Sequence, residues 1–468
     1  MKIAISEVVF DGSIYPREKP STTVINEYAD SLRSGESFPP IALEQGTNRL
    51  LDGYHRWKAH ERLVSQPELN GDGAQFETIS VEYHVVPDGI PAKLYAAKLS
   101  ARHGHRLSAG EIRALAREIC EANPDFPSGI IGEYVARSRQ SVDDYVRDIK
   151  ARRKEQQRSI ILRLSLLGWT DREIAGVVGA DSHTTVTAIR SKMPELAKST
   201  KTILDSGIPH LDVAERFNLP LQTVWAIDLE GRADATRLDR LDIKIQPYDV
   251  WQFGKCHDLM GSDHPGRIPG QLIAHVLYFF TQPGDLVIDP MAGSGTTPDA
   301  CLLMGRKCYA YDIDDRHGRP DIIPHNIATD GWPERTKKAD LVFWDPPYFE
   351  KMDSTNIGQE GYIEGSISKL GRDGYLKFFA ERLIQLRGLV KSGARLAFLM
   401  SDWDDNTGER DGIFVWDYAD IIRKAGWRLT RHIQVPLSTQ QVHPDIVNKF
   451  RDSRRLARLE RYLLIAEA

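Results

Sequence analysis

The four residues Asp345-Pro346-Pro347-Tyr348 are of types that could prepare an amino group for reaction. They follow the apolar run Leu341 to Trp344, which predicts a turn at the end of a buried strand. Two consecutive prolines fix two φ angles and remove two N–H donors, so the turn would present only acceptors. If the Asp345 side chain and the Pro346 carbonyl accepted both hydrogens of an exocyclic amino group, the nitrogen lone pair would point toward an electrophilic methyl group. Tyr348 would stack on the ring that carries the amino group.

A glycine-containing turn earlier in the chain predicts a cofactor site. It lies between the apolar run 286–288 and the expected start of a helix, an arrangement that lets the backbone approach a ligand closely. The residues of the turn are Asp289, Pro290, Met291, Ala292, Gly293, Ser294, Gly295, Thr296 and Thr297. The turn lacks the lysine of a phosphate-binding loop. Asp312 ends the next apolar run, where a carboxylate can accept hydrogen bonds from ribose, so we expect a cofactor that contains adenosine.

Strand-like and helical runs alternate from residue 251 to the C-terminus and predict the domain that positions these residues. The strand-like runs are 286–288, 308–311, 341–343, 395–400 and 462–465. The predicted fold is multidomain, with a Rossmann-like α/β domain last. The predicted parts are a small α+β domain at 1–90, an all-α region at 91–231, a linker at 232–250 and the α/β domain at 251–468.

Over roughly residues 251–468 the ordered motifs resemble those of the S-adenosylmethionine-dependent DNA amino-methyltransferases. The resemblance implies methyl transfer from S-adenosylmethionine to adenine N6 or cytosine N4 of a base flipped out of the duplex. The residues it implies for catalysis are Asp345, Pro346, Pro347 and Tyr348. The residues it implies for the cofactor are those of the glycine turn, Asp312 at the ribose, Asp330 near the adenine, and Pro269, in segment 264–272, near the methionine end.

Adenine N6 is the expected acceptor, because Asp at the first position of the tetrad is more often seen in the adenine enzymes of this family. Cytosine N4 stays open as the alternative. Asp345 with an ordinary pKa near 4 would be a weak base, so the proton would leave the nitrogen after methyl transfer. The run 461–466 resembles the closing antiparallel edge strand of the family's fold. A double-proline turn and a glycine turn without any such role are the alternative interpretation.

Only a short tail follows residue 435, so target recognition must come from elsewhere in the chain. The insertion 349–372 could cover the flipped base as a lid or be a plain surface loop. The helical region contains three stretches with the spacing of a helix-turn-helix, around 131–142, 169–186 and 213–224. The basic cluster of Lys150, Arg152, Arg153, Lys154 and Arg158 could contact phosphates or be a solvated helix face. The candidate DNA-binding residues are Arg139, Gln140, Ser141, Arg152, Arg153, His183, Thr184, Gln222 and Thr223.

The segment 51–59 resembles the signature of the ParB/sulfiredoxin-like domain, and the resemblance covers roughly residues 1–150. It implies that Gly53, His55 and Arg56 grip the phosphates of a nucleotide or of DNA. The Glu-Asn pair of the CTP-dependent members is not visible, so CTP hydrolysis is not implied. In the alternative interpretation Arg56 forms a salt bridge and His55 is satisfied within the core.

Composition excludes a disordered or fibrous protein, because 41% of the 468 residues are hydrophobic. We expect a cytoplasmic protein of bacterial or phage origin without a membrane segment, since the longest apolar run, 272–280, is less than half a span. The four cysteines form no zinc-binding pattern, so we expect reduced thiols and no metal. Double-stranded DNA is the expected partner, and a homodimer, a nucleotide at the N-terminal domain and an accompanying restriction enzyme stay open. Two other functions remain: a ParB-like regulator whose methyltransferase domain only senses cofactor, and an RNA methyltransferase.

Overall fold

Contacts divide the chain into two units, Met1–Gln156 and Gln157–Ala468. The computed structural model describes residues 1–17, 19–66, 73–100, 107–179, 183–262, 267–314, 318–349, 365–403, 411–436, 444–454 and 460–468. Most of the predicted lid, residues 350–364, therefore lies outside the described residues, as does 263–266 in the segment expected near the methionine end. The boundary between the units falls within the region predicted to be helical, and the four-part division stays a prediction.

The first unit begins with a four-stranded mixed sheet in the order β1-β4-β2-β3. Its strands are β1 (Lys2–Ala4), β2 (Ile41–Glu44), β3 (Leu50–Asp52) and β4 (Thr78–His84). Two helices, α1 (Thr22–Arg33) and α2 (Tyr54–Val64), contact each other, and α2 buries Trp57 and Leu63. The prediction of a small α+β domain here is confirmed.

Four further helices complete a second core in the first unit. They are α3 (Ala92–Ser100), α4 (Ala109–Ala122), α5 (Ser128–Val135) and α6 (Arg139–Tyr145). Leu115, Ile131 and Val142 are buried together in this core. The long helix α7 (Arg147–Leu166) follows and contributes residues to both units.

The second unit contains a seven-stranded sheet in the order β10-β11-β9-β8-β5-β6-β7. Its strands are β5 (Leu286–Asp289), β6 (Lys307–Asp312), β7 (Ile322–Pro324), β8 (Leu341–Trp344), β9 (Arg395–Met400), β10 (Arg428–Gln434) and β11 (Tyr462–Glu467). β5 to β9 pair in parallel, whereas β11 is antiparallel to both β9 and β10. The α/β prediction is confirmed. The predicted edge position of the last strand is wrong, because β11 is buried between two partners and β10 is the edge strand.

Helices accompany each of the parallel strands. They are α14 (Gly270–Phe280), α15 (Thr296–Met304), α16 (Ile327–Asp330), α17 (Arg372–Leu389), α18 (Val415–Lys424) and α19 (Pro444–Asp452). Every residue of α15, which follows the glycine turn, is buried. Among the described residues, no helix has both the length and the apolar character needed to cross a bilayer.

Six shorter helices precede this sheet in the second unit, and some of them pack against the α/β domain. They are α8 (Asp171–Val178), α9 (His183–Arg190), α10 (Met193–Asp205), α11 (His210–Phe217), α12 (Leu221–Leu229) and α13 (Asp234–Arg240). The Trp169 indole N–H donates to the Cys308 carbonyl over 2.9 Å, and its ring stacks on Tyr309 with centroids 5.0 Å apart. α12 packs directly on α15. Residues 157–240 are therefore part of the same contact unit as the α/β sheet.

Candidate active site

Three carboxylates lie at the C-terminal ends of three adjacent parallel strands. Asp289 ends β5, Asp312 ends β6, and Asp345 directly follows β8, the neighbour of β5 on its other side. In a parallel α/β sheet this edge is where ligands bind. Burial raises the pKa of Asp289 to about 7, and the nearby charges of Asp345 and Asp312 contribute to the rise. Three acidic groups this close together favour a cationic ligand.

Asp312 organises the glycine turn through its carboxylate. One oxygen accepts the Gly293 N–H over 2.7 Å, and the other accepts the Asp314 N–H over 2.8 Å. The Ala292 N–H donates to the Tyr311 carbonyl, so the turn is tied to the end of β6. Gly293 and Gly295 have φ values of +49° and +84°, a region where residues with a side chain are strained.

Asp289 also holds the glycine turn through its carboxylate. Its carboxylate accepts the Met291 N–H over 3.0 Å and the hydroxyl of Thr297. Pro290, Ser294 and Thr296 stand between these anchors, and Ser294 and Thr296 are buried. The turn is thus held at both ends by carboxylates that the sequence had assigned to the cofactor.

A cavity beside Asp312 fits the adenosine part of the expected cofactor. Its walls include the apolar side chains of Val177, Ile322, Ile323 and Pro324. Asp312, whose oxygens accept the Gly293 and Asp314 N–H groups, lines this cavity with a carboxylate, the type of group that accepts hydrogen bonds from ribose. The apolar walls suit the adenine ring, while Asp314 and Arg319 also line the cavity and the residues of the glycine turn are not part of its lining.

Asp330 and Pro269, the other two residues predicted to bind the cofactor, lie outside the glycine turn. The Asp330 carboxylate accepts hydrogen bonds from the Thr329 hydroxyl and the Asn326 N–H, which caps α16. Asp330 is not among the residues that line the cavity beside Asp312, so the structure does not bring it to that cavity. Pro269 is buried at the start of α14, where Gly270 lies against Met260 so closely that a Cβ atom would meet it at 2.4 Å.

The Asp345–Tyr348 turn is stabilised by a tyrosine behind it. The Tyr375 hydroxyl, on the buried side of α17, donates to the Pro347 carbonyl over 2.8 Å. The Tyr348 hydroxyl donates to Asp345 over 2.8 Å. Because a carboxylate has several acceptor positions, Asp345 can accept a substrate amino group while it accepts the Tyr348 hydroxyl.

The pKa of Asp345 differs from the expected value. Burial raises its pKa to about 6, although the Tyr348 hydrogen bond and the charge of Arg461 oppose the rise. The expected ordinary pKa near 4 is therefore wrong, because the sequence did not show how deeply the turn is enclosed. An Asp345 carboxylate with this pKa is a better base than an exposed one.

The three helix-turn-helix stretches have different environments. In the first, Ala136 has φ +52° at the turn, and Gly132 fits where a Cβ atom would lie 2.5 Å from the Arg137 carbonyl. The recognition-helix residues Arg139 and Gln140 are exposed, and Ser141 is half-buried. In the second, Gly179 makes the turn, and His183 and Thr184 are exposed at the start of α9.

In the third stretch, the predicted recognition helix is buried. α12 packs between α11 and α15, and Thr223 is fully buried while Gln222 is only half-buried. Thr223 therefore offers no surface to DNA, and that assignment is corrected. The helix-turn-helix spacing is present, but here it serves the packing of the second unit.

Two arginines of the basic cluster on α7 form long ion pairs with acidic residues. Arg152 is exposed and lies 3.6 Å from Glu121, and Arg153 lies 3.7 Å from Asp125. Exposed pairs at these distances contribute little to stability, so a phosphate could replace them.

Arg56 and His55, in the N-terminal signature 51–59, make hydrogen bonds within the first unit. Arg56 is buried, and it donates to the Pro39 and Pro40 carbonyls and to Asp52 over 2.6, 2.8 and 2.9 Å. His55 accepts the Ser21 N–H over 3.0 Å. These contacts match the salt-bridge alternative for Arg56, but Gly53, His55 and Arg56 also line a cavity, so their role in phosphate binding stays a prediction. Gly53 has φ +97°, and a Cβ atom there would lie 2.5 Å from Ile41.

Sequence reasoning missed four charged residues around the glycine turn. They are Arg163, Asp299, Arg319 and Asp321, and they form one buried network. Arg319 also donates to the Ser294 carbonyl over 3.1 Å. The pair Arg319 and Asp321, directly before β7, was a visible signal, whereas nothing in the sequence singled out Arg163 within its basic helix.

Comparisons with known proteins agree with the resemblance of this site to the DNA amino-methyltransferases. A family model described as DNA methylase matches residues 213–319, which include the glycine turn and Asp312 and end before Asp345. The DNA adenine methyltransferase YhdJ of Escherichia coli (strain K12) is 34% identical over 89 residues, 18% of this chain and 30% of that protein. The transcriptional regulator NovG of Streptomyces niveus is 34% identical over 128 residues, 26% of this chain and 35% of that protein. The chain thus spans about a third of the length of these relatives.

Among solved structures, the chromosome-partitioning protein ParB from Caulobacter crescentus complexed with CTP-gamma-S is 14% identical. It covers 40% of this chain and 97% of its own, with a TM-score of 0.18. A TM-score this low supports no functional conclusion. The family match and the similarity to YhdJ are the findings that relate the second unit to the DNA amino-methyltransferases. S-adenosylmethionine is the cofactor that this resemblance implies.

Proposed function

We propose that the chain is a DNA methyltransferase that transfers a methyl group from S-adenosylmethionine to an exocyclic amino group of a flipped-out base. The observation that carries the proposal is the acceptor edge formed by Asp345 and the turn Pro346-Pro347. It lies at the end of the sheet that also holds the glycine turn and Asp312. A protein with this DNA substrate would act in the bacterial cytoplasm, whether a bacterium or a phage encodes it.

When bound, S-adenosylmethionine supplies an electrophilic methyl group. Asp345 and the Pro346 carbonyl accept the two hydrogens of the amino group and so direct its lone pair. The contact between Tyr375 and the Pro347 carbonyl keeps this edge in place, so little reorganisation is needed during the reaction. Once the new C–N bond makes the nitrogen acidic, Asp345 accepts its proton, which the raised pKa favours.

Adenine N6 is the proposed acceptor. Both candidate amino groups present two hydrogens to the same edge, so hydrogen-bond geometry at Asp345 does not distinguish adenine from cytosine. Asp at the first position of the tetrad and the similarity to YhdJ, described as a DNA adenine methyltransferase, favour adenine.

A turnover assay tests the proposal. Formation of S-adenosylhomocysteine is measured with duplex DNA, single-stranded DNA or structured RNA as the acceptor. We expect the duplex to give the highest rate. A rate that is highest with structured RNA would favour the RNA alternative and contradict the proposal.

The pKa of Asp345 predicts how the rate depends on pH. Below about pH 6 the protonated carboxyl group is a weaker acceptor, so we expect kcat to fall as the pH drops through this value. Tyr348 lowers this pKa, and the Tyr348→Phe variant should therefore move the acidic limb to higher pH. The measurement is kcat from pH 5 to pH 8.5 for both proteins. An acidic limb that stays in place in Tyr348→Phe would belong to another group, such as Asp289.

Exposed residues at the start of α6 are proposed to contact DNA. Arg139, whose side chain is 80% exposed, and Gln140 stand at the position where a recognition helix meets the major groove. We expect Arg139→Ala with Gln140→Ala to weaken duplex binding by about 10-fold or more. The control is Arg113→Ala, which removes an exposed arginine from α4 in the same unit. Equal affinities of the two variants, measured by fluorescence anisotropy, would remove α6 from the interface.

A second candidate function is a DNA-binding regulator whose methyltransferase domain only senses cofactor. The similarity to NovG over 128 residues favours it. It predicts binding of S-adenosylmethionine and duplex DNA without turnover, which the same assay would reveal.

A further inference from the structure

A buried charge network connects the helical segment of the second unit with the glycine turn. Arg163, on α7, donates to Asp321 through two nitrogens over 2.6 and 3.0 Å and also to Asp299. Arg319 bridges the same two carboxylates, with distances of 2.9 Å to Asp299 and 2.8 Å to Asp321. Two cations and two anions therefore balance one another, and the two carboxylates are almost completely buried.

The network reaches the cofactor turn from behind. Arg319 donates to the Ser294 carbonyl over 3.1 Å, and its guanidinium group lies where a Cβ atom on Gly295 would approach within 2.3 Å. Asp299 accepts the Gly261 N–H over 2.7 Å, and the next residue, Ser262, donates its N–H to the same Ser294 carbonyl. Arg163 thus sets the charge balance that holds Arg319, and Arg319 holds the turn.

A second, independent contact brings α8 to the cavity beside Asp312, which Arg319 also lines. Val177 of α8 is partly exposed and lines the cavity beside Asp312. α8 is fixed to the sheet because Glu173 accepts the Tyr309 hydroxyl over 2.8 Å and pairs with Arg335. Two helices of the segment that precedes the α/β sheet therefore contribute to the surroundings of the predicted cofactor.

We propose that Arg163 is a positioning residue for the glycine turn and that Val177 forms one wall of the adenosine pocket. Residues 157–179 then contribute directly to the cofactor site. This inference rests on the proposed function. Removal of the Arg163 guanidinium leaves Asp299 and Asp321 with one cation between them. Arg319 is then drawn toward the two carboxylates and away from Ser294, so the turn loses its fixed shape.

The test is the dissociation constant of S-adenosylmethionine, measured by isothermal titration calorimetry with the full chain. We expect Arg163→Met to raise it at least tenfold and Arg163→Lys to restore part of the affinity, because lysine keeps the charge but not the fork. The KM for the cofactor should rise while kcat changes little. The matched control is Arg240→Met, which removes an ion pair to the buried Asp228 of the same unit. That variant should keep the wild-type dissociation constant.

Val177→Ser keeps the test decisive if Arg163→Met does not fold, because Val177 is at the surface and its replacement should not change the melting temperature. We expect its dissociation constant to rise severalfold. Melting temperatures that fall in Arg163→Met and Arg240→Met alike, with unchanged dissociation constants in Arg163→Lys and Val177→Ser, would overturn the inference. Absence of binding to the wild-type chain would instead contradict the proposed function.

Discussion

The Asp345→Ala variant should lose methyl transfer by about 10³-fold or more while it still binds S-adenosylmethionine. A preorganised acceptor at the reacting atom typically contributes 10²–10³-fold, and Asp345 here both holds the amino group and accepts its proton. Asp345 makes no hydrogen bond to the glycine turn in the described residues, so the cofactor affinity should change little.

The variant should also fold normally. Burial raises the pKa of Asp345 from its ordinary value to about 6, so ionisation of this carboxyl group destabilises the folded chain as the pH rises through that range. At neutral pH the cost of burying the carboxylate outweighs its attraction to Arg461, and its removal should not destabilise the fold. The measurement is single-turnover methyl transfer to duplex DNA, with Asp373→Ala as the control, since Asp373 is an exposed carboxylate on α17. Retained single-turnover rates in Asp345→Ala would remove Asp345 from the chemistry.

The Asp312→Asn variant should bind S-adenosylmethionine about 10- to 150-fold more weakly. Both oxygens of Asp312 accept backbone N–H groups, so an asparagine must turn its NH2 group toward one of these donors. The ribose hydroxyls would also lose their charged acceptor. Loss of one hydrogen bond to a charged acceptor in the complex costs about 1.5–3 kcal/mol, which corresponds to that range.

Equilibrium binding by calorimetry measures this effect, and Asp285→Asn serves as the control. Asp285 is also an aspartate of the second unit, but it lies before β5 and caps the turn at Gln282 rather than the glycine turn. If Asp312→Asn binds the cofactor as tightly as the wild-type chain, Asp312 is not at the ribose.

Local patterns predicted the strands and turns that carry the candidate site. The five predicted strand-like runs correspond to β5, β6, β8, β9 and β11, because each is an apolar stretch that ends in a polar or glycine turn. The three-residue β7, which ends in proline, and the polar edge strand β10 gave no such signal. Their positions depend on pairing with β6 and β11 rather than on their own composition.

Burial and long-range contacts decided what the sequence could not show. Arg56 has the residue type of a phosphate ligand, but its environment engages it with Asp52 and two carbonyl groups. Thr223 has helix-turn-helix spacing, but α15 covers its helix. The partners of Arg163 follow it by 136 and 158 residues, a separation at which no local pattern connects them.

The identity of the methylated nucleoside decides whether the chain methylates DNA and at which base. The chain is incubated with isotopically labelled S-adenosylmethionine and mixed-sequence duplex DNA, and the digested nucleosides are analysed by mass spectrometry. We expect labelled N6-methyladenine, which should be absent when Asp345→Ala replaces the wild-type chain. Labelled N4-methylcytosine would support methyl transfer to DNA but show that cytosine, not adenine, is the acceptor. A chain that binds cofactor and DNA tightly but yields no methylated nucleoside would contradict the account.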